Sequence, residues 1–418
     1  MKLQLPKGTQ DYQPKDKIIR NEITQTLQET FEEYGFSPLE TPIIERYEIL
    51  AAKFTAGEES DVMHEVFTFK DQGQRKLGLR YELTFPLARY IGMNPSIKFP
   101  FKRYQIGQVF RDGPIKLGRM RQFYQCDVDI VGSKNTLADA EILALTQAAF
   151  KKLNLQINIE VNTRKILNGI LNYAEIKEKD HEQALIILDK LKKIGASNVK
   201  KELKAILTPT QIQKIIKLLN KKPSLDTFLK LEQTKEGALE LQELFQYLRK
   251  YKVSFNFTPT LVRGLSYYTG PIYEVFLKKS KITSSVAGGG RWDNMIKDYL
   301  NNKQIYPATG ISFGLEPILE EIKNKDAKET VTQVYIIPIG LKNEAIPILQ
   351  ELRENNIKTD IDLLKRGISK NLDYANKLNI PYVIFLGKQE LKQKKVKLRD
   401  MKTGKESLLT VKELINKL

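Results

Sequence analysis

Alternation of apolar and polar side chains is clearest in two extended runs, Tyr104 to Phe110 and Phe123 to Val131. Both runs are rich in β-branched and aromatic residues, and the short loop between them reads RDGPIKLGRMR. This pattern predicts a β-hairpin. In its second strand Gln125, Asp127 and Asp129 share one face, while apolar side chains share the other. A plain surface strand explains the same alternation, so other segments must decide between a site and a solvated face.

The segments before the hairpin combine helical and extended patterns. Apolar residues recur every four positions from about Lys15 to Tyr34, and Gly35 follows where a left-handed helix cap belongs. A strand is predicted through FSPLETPIIE, and shorter strands are predicted from Glu65 to Phe69 and from Lys76 to Glu82.

The run RYELT carries a carboxylate and a hydroxyl two residues apart, Glu82 and Thr84. In an extended segment both would point to one face, just before a helix predicted from about Phe85 to Ile91. Such a pair could hold an ammonium group. An exposed strand end would carry the same residues.

The predicted secondary structure changes several times after residue 165. Residues 165–250 show only helical spacing, which predicts a helical insertion in an α/β domain. Strands resume with RGLSYYTG and AGGGRWD nearby, and the three glycines form either a loop that a ligand approaches or a flexible turn. ATGISFGLEP predicts a strand followed by a helix, with Pro317 in the first turn. Residues 332–418 alternate strand and helix, which indicates a small α/β domain with a largely parallel sheet.

Composition narrows the class of protein. The chain has 418 residues and a net charge of +18 spread along its length, which suits a polyanionic partner such as nucleic acid, or reflects a lysine-rich proteome. We find no membrane-spanning or signal-peptide segment and therefore expect a cytoplasmic protein with no membrane contact. With one cysteine, Cys126, and two histidines, a metal site built from protein histidine and cysteine is not expected. Oxygen-ligated Mg²⁺ remains open.

Taken in order, several segments resemble class II aminoacyl-tRNA synthetases, and specifically the histidyl-tRNA synthetase family, over nearly the whole chain. LPKGTQDYQP resembles the family's opening, EYGFSPLETPIIE its motif 1, VFRDGPIKLGRMRQFYQCDVDIVG its motif 2, and ATGISFGLEPI its motif 3. RYELT, RGLSYYTG and AGGGRWD resemble the segments that form the family's histidine pocket.

The resemblance implies a fold and a division into domains. A catalytic α+β domain with a mainly antiparallel sheet would comprise residues 1–164 and 251–323, with a helical insertion at 165–250. A small anticodon-binding α/β domain would comprise residues 331–418. The fold class is therefore α/β, and a homodimer is expected.

The resemblance also implies a reaction and its residues. The protein would activate L-histidine with ATP and Mg²⁺ and pass the histidyl group to the 3′ end of tRNA(His). Arg111 and Arg263 match the two arginines at the α-phosphate, and phosphoryl transfer calls for such fork-shaped cations. By the same resemblance, Arg119 and Arg121 are assigned to ATP binding. The residues assigned to histidine binding are Glu82, Leu83, Thr84, Gln125, Asp129, Tyr267, Tyr268, Gly288 and Gly289.

Two departures from the family pattern concern the adenine side of the site. Pro317 stands where the family has an arginine, and at Gly113 the family commonly has an acid, which here is Asp112, one place earlier. One alternative is a non-catalytic paralogue that binds histidine and regulates ATP phosphoribosyltransferase. A plain RNA-binding protein with an inactive catalytic fold is another.

Overall fold

The computed structural model describes residues 3–51, 65–115, 120–219, 223–263, 267–301, 303–323 and 328–418. The chain forms two compact units, one made of residues 1–10 and 23–321 and the other of residues 11–22 and 322–418. Among the described residues, no helix has both the length and the apolar character needed to cross a bilayer.

The first unit is built around a large, mainly antiparallel sheet, as predicted. Eleven strands lie in the described parts of this unit: β1 Ser37–Pro38, β2 Ile44–Arg46, β3 Thr68–Lys70, β4 Lys76–Leu79, β5 Phe101–Phe110, β6 Gln122–Val131, β7 Ile157–Thr163, β8 Phe255–Phe257, β9 Pro271–Leu277, β10 Ala287–Arg291 and β11 Ala308–Gly314. The large sheet has the order β1-β5-β6-β11-β10-β9-β7-β8, with parallel pairing at its two edges. Strands β2, β4 and β3 form a separate small sheet.

The predicted hairpin is confirmed and lies within the large sheet. Strands β5 and β6 pair antiparallel, with Asp129 opposite Arg103 and Asp127 opposite Gln105. On its other side β6 pairs with β11, which places Ser312 beside Asp127. Side chains of directly paired residues project to the same face. One face of the sheet is therefore polar across three strands.

The opposite face of the large sheet carries the hydrophobic core. Phe313 of β11 lies with its ring centroid 5.5 Å from those of Phe31 and Phe150, which come from two different helices. Cys126 and Val128 of β6 are fully buried on that side. Helices thus cover the apolar face, and the polar face is left to line a cavity.

Helices of the first unit follow the predicted spacing. They are α1 Pro14–Glu33 (whose first residues belong to the second unit), α2 Tyr47–Ala51, α3 Thr84–Met93, α4 Leu137–Lys152, α5 Arg164–Tyr173, α6 His181–Asp189, α7 Leu191–Leu203, α8 Pro209–Leu219, α9 Leu225–Leu229, α10 Glu232–Lys250, α11 Met295–Tyr299 and α12 Leu315–Ile322. A short 3₁₀ helix spans Glu178–Asp180. After α1, Gly35 adopts φ +75°, the left-handed cap predicted from the sequence. The described residues between 164 and 250 contain helices and turns without strands, as predicted.

Two extended segments predicted near the site are shorter than expected. The single strand predicted through FSPLETPIIE is interrupted: Ser37–Pro38 joins the large sheet and Ile44–Arg46 joins the small one. The strand predicted to reach Glu82 ends at Leu79, and Thr84 is the first residue of α3. The extended conformation predicted for RYELT was therefore wrong, because the chain already turns into the helix at Leu83, with φ −101° and ψ −5°.

The glycine-rich segment was interpreted as a loop or a turn, and this was wrong. Ala287–Arg291 is strand β10, paired on both sides by β9 and β11. A Cβ atom on Gly289 would lie only 2.0 Å from the carbonyl oxygen of Gly310 on the next strand. Glycine is therefore required there by close backbone approach rather than by chain flexibility.

The second unit contains a five-stranded sheet of order β13-β12-β14-β15-β16. Its strands are β12 Val334–Pro338, β13 Thr359–Ile361, β14 Tyr382–Leu386, β15 Val396–Asp400 and β16 Glu406–Leu409, and its helices are α13 Lys342–Glu354, α14 Ile368–Lys377, α15 Lys388–Lys392 and α16 Val411–Lys417. The first three strands are parallel, and the last two add antiparallel. Two apolar clusters, one on each face of the sheet, form its core.

Candidate active site

A cavity of about 590 Å³ lies in the first unit against the polar face of the large sheet. Strands β6, β9, β10 and β11 form its floor, and the residues before α3 form one wall. Most residues predicted from the sequence line this one cavity: Glu82, Thr84, Arg111, Gln125, Asp129, Arg263, Tyr267, Tyr268, Gly288 and Gly289. Segments far apart in the sequence are therefore brought together by the sheet.

Two predicted residues do not line the cavity, and a third lies outside the described residues. Leu83 is fully buried at the start of α3 and is not among the residues that line the cavity. The Arg121 guanidinium forms an ion pair with Asp112, with 2.7 Å between Nη1 and Oδ1, and Arg121 does not line the cavity either. Arg119 lies outside the described residues.

One end of the cavity is acidic and deeply buried. Asp129 forms an ion pair of 2.7 Å with Arg103, whose side chain is wholly inaccessible to solvent. Gln125 donates from Nε2 to the hydroxyl of Ser312 at 2.9 Å, and that hydroxyl hydrogen-bonds to Asp127. Glu82, also buried, faces the same carboxyl groups.

The carboxyl groups at this end hold protons more tightly than usual. Burial raises the pKa of Asp127 to about 7, with Arg103 opposing the shift and Asp129 adding to it. Burial likewise raises the pKa of Asp129 to about 6, again opposed by Arg103. A cationic ligand would favour the ionised forms of both groups, because opposite charge lowers a carboxyl pKa. This end of the cavity is therefore suited to a cation such as an ammonium group.

Two tyrosines border the acidic end. The rings of Tyr267 and Tyr268 lie 4.6 Å apart between centroids. Burial raises the pKa of each phenol above its ordinary value. Both hydroxyls therefore stay protonated at neutral pH and can donate or accept a hydrogen bond.

The cavity also presents two arginines. Arg111 donates from Nε to the carbonyl oxygen of Tyr81 at 3.2 Å, and its guanidinium lies 4.2 Å from the Tyr81 ring centroid and 5.0 Å from that of Phe123. Arg263 donates from Nη1 to Glu274 at 2.8 Å. Both guanidinium groups are fixed in direction by these contacts, as binding of a phosphate requires.

Glycines of β10 and β11 allow the Arg263 and Asp129 side chains to lie close to the backbone of the sheet. A Cβ atom on Gly288 would come within 2.1 Å of Nη1 of Arg263, and one on Gly310 within 2.0 Å of Oδ1 of Asp129. The arginine and the carboxylate therefore occupy space that any other residue would fill. The glycine pattern of β10 and β11 thus shapes the cavity floor beside both Arg263 and Asp129.

The helix after β11 is attached to the hairpin through Glu316, the residue just before Pro317. Pro317 stands where the family pattern has the motif 3 arginine. The carboxylate of Glu316 accepts from the backbone N–H of Tyr124 at 3.2 and 3.1 Å. Pro317 follows in the first turn of α12, and a Cβ on Gly314 would lie 3.0 Å from its ring. The Pro317 side chain is thus packed against the end of β11.

Several residues at the site were missed by the sequence analysis. Asp127 was seen on the polar face but not assigned, and Arg103, Glu274 and Ser312 were not singled out. Strand register is the signal that finds them: Arg103 pairs with Asp129, and Ser312 pairs with Asp127. Counting pairs outward from the hairpin loop would have placed Arg103 beside Asp129.

Comparison with known proteins shows which family the chain resembles. The family model described as histidyl-tRNA synthetase matches residues 8–318, and the model described as anticodon binding domain matches residues 333–418. Histidine–tRNA ligase 1 of Bacillus cereus (strain ZK / E33L) is 42% identical over 429 aligned positions, which cover 100% of both chains.

Two solved structures share the fold. The crystal structure of histidyl-tRNA synthetase from Nostoc sp. PCC 7120 superposes with a TM-score of 0.87 at 29% identity and covers 100% of each chain. A Bacillus halodurans structure described as an ATP phosphoribosyltransferase regulatory subunit/histidyl-tRNA synthetase has a TM-score of 0.76 at 21% identity, with 92% of this chain and 98% of that chain covered. The latter likeness concerns the fold alone. From the family-model match and the full-length identity, the chain belongs to the histidyl-tRNA synthetase family.

Proposed function

We propose that the protein activates L-histidine with ATP and transfers the histidyl group to the 3′ end of tRNA(His). The observation that carries this proposal is the single cavity that is lined both by buried acidic residues and by two oriented arginines. An amino acid and a nucleotide α-phosphate need these two environments side by side. Full-length identity of 42% to a histidine–tRNA ligase supports the same reaction.

At the acidic end the side chains suit the ammonium and ring nitrogens of histidine. Glu82, Thr84 and Gln125 are proposed to bind the α-ammonium group. Asp129 and Tyr268 are proposed to contact the imidazole nitrogens, with Tyr267 beside them. A substrate without a ring N–H would leave buried polar groups unpaired, and such a loss discriminates strongly between amino acids.

The two arginines that line the cavity, Arg111 and Arg263, would bind the α-phosphate of ATP. The histidine carboxylate attacks the α-phosphorus of ATP, the bond to the β-phosphate oxygen breaks, and pyrophosphate leaves with that electron pair. Negative charge develops on the α-phosphate oxygens, and Arg111 and Arg263 are placed to stabilise it. The terminal hydroxyl of tRNA then attacks the activated carbonyl group, and AMP leaves.

The wider assembly is proposed on the same basis. Residues 331–418 would bind the anticodon, residues 165–250 would form a helical insertion, and residues 1–164 with 251–323 would form the catalytic domain. The net charge of +18 suits a tRNA partner. We further propose that the protein is a cytoplasmic homodimer. Analytical sedimentation would measure its mass in solution.

Mg²⁺ is proposed to enter with ATP. It usually keeps several waters and binds through substrate phosphates with one or two carboxylates. Glu274, which lines the cavity beside Arg263, offers one such carboxylate. The ion would neutralise phosphate charge, and the arginines would orient the α-phosphate.

The regulatory paralogue is a less favoured alternative. Such a protein would bind histidine without needing arginines oriented toward a phosphate. Here Arg111 and Arg263 line the cavity together with the acidic residues. The anticodon-binding model also matches residues 333–418.

Histidine-dependent exchange of labelled pyrophosphate into ATP tests the activation step. We expect exchange that requires histidine and stops when EDTA removes Mg²⁺. Charging of tRNA(His) transcripts, with another tRNA as control, tests the transfer step. Histidine binding without exchange would reject the activation step and favour the regulatory paralogue.

A Gly288→Ala substitution is expected to slow activation without destabilising the fold. The new methyl group would displace the guanidinium at the end of the Arg263 side chain and no backbone atom, at the cost of its partly exposed ion pair with Glu274, so stability should change by less than about 1 kcal/mol. Misplacing the guanidinium should lower the exchange rate by about 10- to 100-fold. Exchange kinetics and thermal unfolding of the same preparation measure both effects.

Gly289→Ala is the matched control for that substitution. Its Cβ would lie 2.0 Å from a backbone oxygen of the neighbouring strand, so the sheet itself would have to shift. We expect Gly289→Ala to lower the melting temperature, whereas Gly288→Ala leaves it nearly unchanged. Full exchange activity in Gly288→Ala would contradict the proposed position of Arg263 in the reaction.

A further inference from the structure

The carboxyl group of Asp127 is a buried polar group on the cavity floor that the proposed reaction does not yet use. Its side chain lines the cavity, and the residue is only 4% exposed. One oxygen, Oδ1, has no hydrogen-bond partner among the described residues, and the carboxyl group is hydrogen-bonded to Ser312. A buried carboxyl oxygen without a partner costs free energy unless a ligand supplies one. Asp127 is therefore placed to contact the substrate.

The charged and titratable groups that face Asp127 come from each neighbouring segment. Asp129 lies on the same strand, and Arg103 lies on β5. Glu82 faces it from the segment before α3, as does Arg80, whose guanidinium donates to the carbonyl oxygens of residues 41 and 108. The phenols of Tyr267 and Tyr268, which are neutral, lie near Glu82. The neighbouring strand β11 contributes the Ser312 hydroxyl.

Asp127 and Asp129 differ in their counterions. Asp129 contacts Arg103 at 2.7 Å, whereas no ion pair involves Asp127 in the part of the chain that the structure describes. Arg80 comes near, but its guanidinium donates to backbone carbonyls. A proton shared by this pair of acids is therefore held mainly by Asp127, while Asp129 stays ionised through its arginine.

Position along the strand indicates which part of the substrate Asp127 meets. Alternate residues of a strand lie about 6.6 Å apart on one face. Asp127 is thus midway between Gln125, proposed at the α-ammonium group, and Asp129, proposed at an imidazole nitrogen. A side chain in the middle faces the ring nitrogen nearer the substrate backbone.

We infer that Asp127 is a specificity residue that binds this ring nitrogen through one shared proton, so that histidine binding is coupled to proton uptake. This inference rests on the proposed function, since it assigns a role to Asp127 within the proposed histidine pocket. The proton lies between a carboxyl oxygen and an imidazole nitrogen, and it can arrive on either partner. Glu82 and the ionised Asp129 nearby favour keeping it in the complex.

The dependence of affinity on pH follows from this proton. Free imidazole has an ordinary pKa of about 6.5, and burial raises the pKa of Asp127 to about 7. Above both values Asp127 is a carboxylate and the neutral imidazole has a single N–H, which is donated to the ionised Asp129. The complex must therefore take up the proton that Asp127 shares with the other ring nitrogen. Affinity then falls by up to about tenfold per pH unit as the pH rises. At pH values below both, each partner brings a proton and one must leave, so affinity falls there as well.

Calorimetric titration of the full chain with L-histidine at about pH 8, in two buffers of different ionisation enthalpy, measures the protons taken up. We expect wild type to take up close to one proton more than Asp127→Asn. An asparagine amide can donate to the ring nitrogen as a protonated carboxyl does, so Asp127→Asn should keep affinity within about tenfold at this pH. Its affinity should also change less with pH. Asp226→Asn, an exposed change of the same kind on α9, should match wild type.

Two results would overturn the inference: wild type binding histidine at this pH with no proton uptake beyond that of Asp127→Asn, or Asp127→Asn keeping the wild-type pH dependence. If Asp127→Asn does not fold, wild type and Asp127→Ser are compared in its place. Failure of the proposed function gives a different pattern. Wild type would then show no histidine-dependent pyrophosphate exchange, whatever its proton uptake.

Discussion

Arg263→Ala is expected to lower the rate of histidine-dependent pyrophosphate exchange by about 10²- to 10³-fold. Its effect on histidine affinity should be much smaller. Charge on the α-phosphate oxygens grows on the way to the transition state, so a guanidinium aimed there stabilises the transition state more than the bound substrate. The arginine is already oriented by its 2.8 Å ion pair with Glu274. Exchange kinetics give the rate, and calorimetry gives the affinity.

Controls separate this role from effects of unpaired charge. Removing Arg263 leaves Glu274 without the ion pair that the structure shows, so Arg263→Ala should be compared with Arg263→Ala combined with Glu274→Gln. Both should be slow if the guanidinium acts on phosphate. Arg263→Lys keeps the charge but loses the planar fork, and it should recover only part of the rate. Arg75→Ala, an exposed arginine elsewhere, should leave the rate unchanged. Equal losses of rate and histidine affinity would contradict the assigned role.

The hairpin shows how much of the site a sequence can predict. Strict alternation in β6 placed Gln125 and Asp129 on one face, and the structure puts both in the cavity. Local pattern alone could not choose between a site and a surface strand, because both alternate. Similarity to a known family selected the site, and the roles of the individual residues stay predictions.

Other features depend on contacts that no local pattern encodes. The glycines of β10 lack side chains and are poor strand formers, so their sequence is typical of a loop. They form a central strand because two neighbours supply backbone pairs and need close approach. The pattern of RYELT likewise predicts an extended segment, although its last residue begins α3. Arg103 is a single charge in a strand, and only its register with Asp129 gives it a function.

The ion pair between Arg103 and Asp129 connects the stability of the fold to the substrate pocket. Both side chains are buried, and Nε and Nη1 of Arg103 have no hydrogen-bond partner among the residues that the structure describes. Desolvation of two charges offsets much of their attraction, so the intact pair adds little net stability. Removing only one partner of the pair should lower stability strongly, since the other charge then stays buried without a counterion. The arginine is therefore needed because the site needs Asp129.

Arg103→Met is expected to lower the free energy of unfolding of the first unit by about 3 to 5 kcal/mol at neutral pH. Asp129 would then lie near Asp127 and Glu82 without its arginine, and its pKa, which burial already raises to about 6, should rise further above that of the unfolded chain. A raised pKa means that folding favours the protonated form, so the variant is relatively more stable at acidic pH and loses stability as pH rises. Denaturant unfolding at about pH 5.5 and 8 measures this change.

Trp292 makes the measurement specific to this unit. It is the only tryptophan in the chain, it is 2% exposed, and it lines the same cavity. Its fluorescence therefore follows unfolding of the sheet that carries the ion pair. Arg75→Met is a control, because its pair with Asp71 is far more exposed and should cost less.

A double variant distinguishes loss of charge balance from loss of packing. Arg103→Met combined with Asp129→Asn removes both charges, so it should recover most of the stability lost in Arg103→Met. Its stability should depend on pH less than that of Arg103→Met, and the remaining dependence comes from Asp127. It should still bind histidine weakly, because the ionised carboxylate proposed at the imidazole ring is gone. If the double variant is as unstable as the single one at every pH, the loss comes from packing around the new side chain at position 103 rather than from an unpaired Asp129.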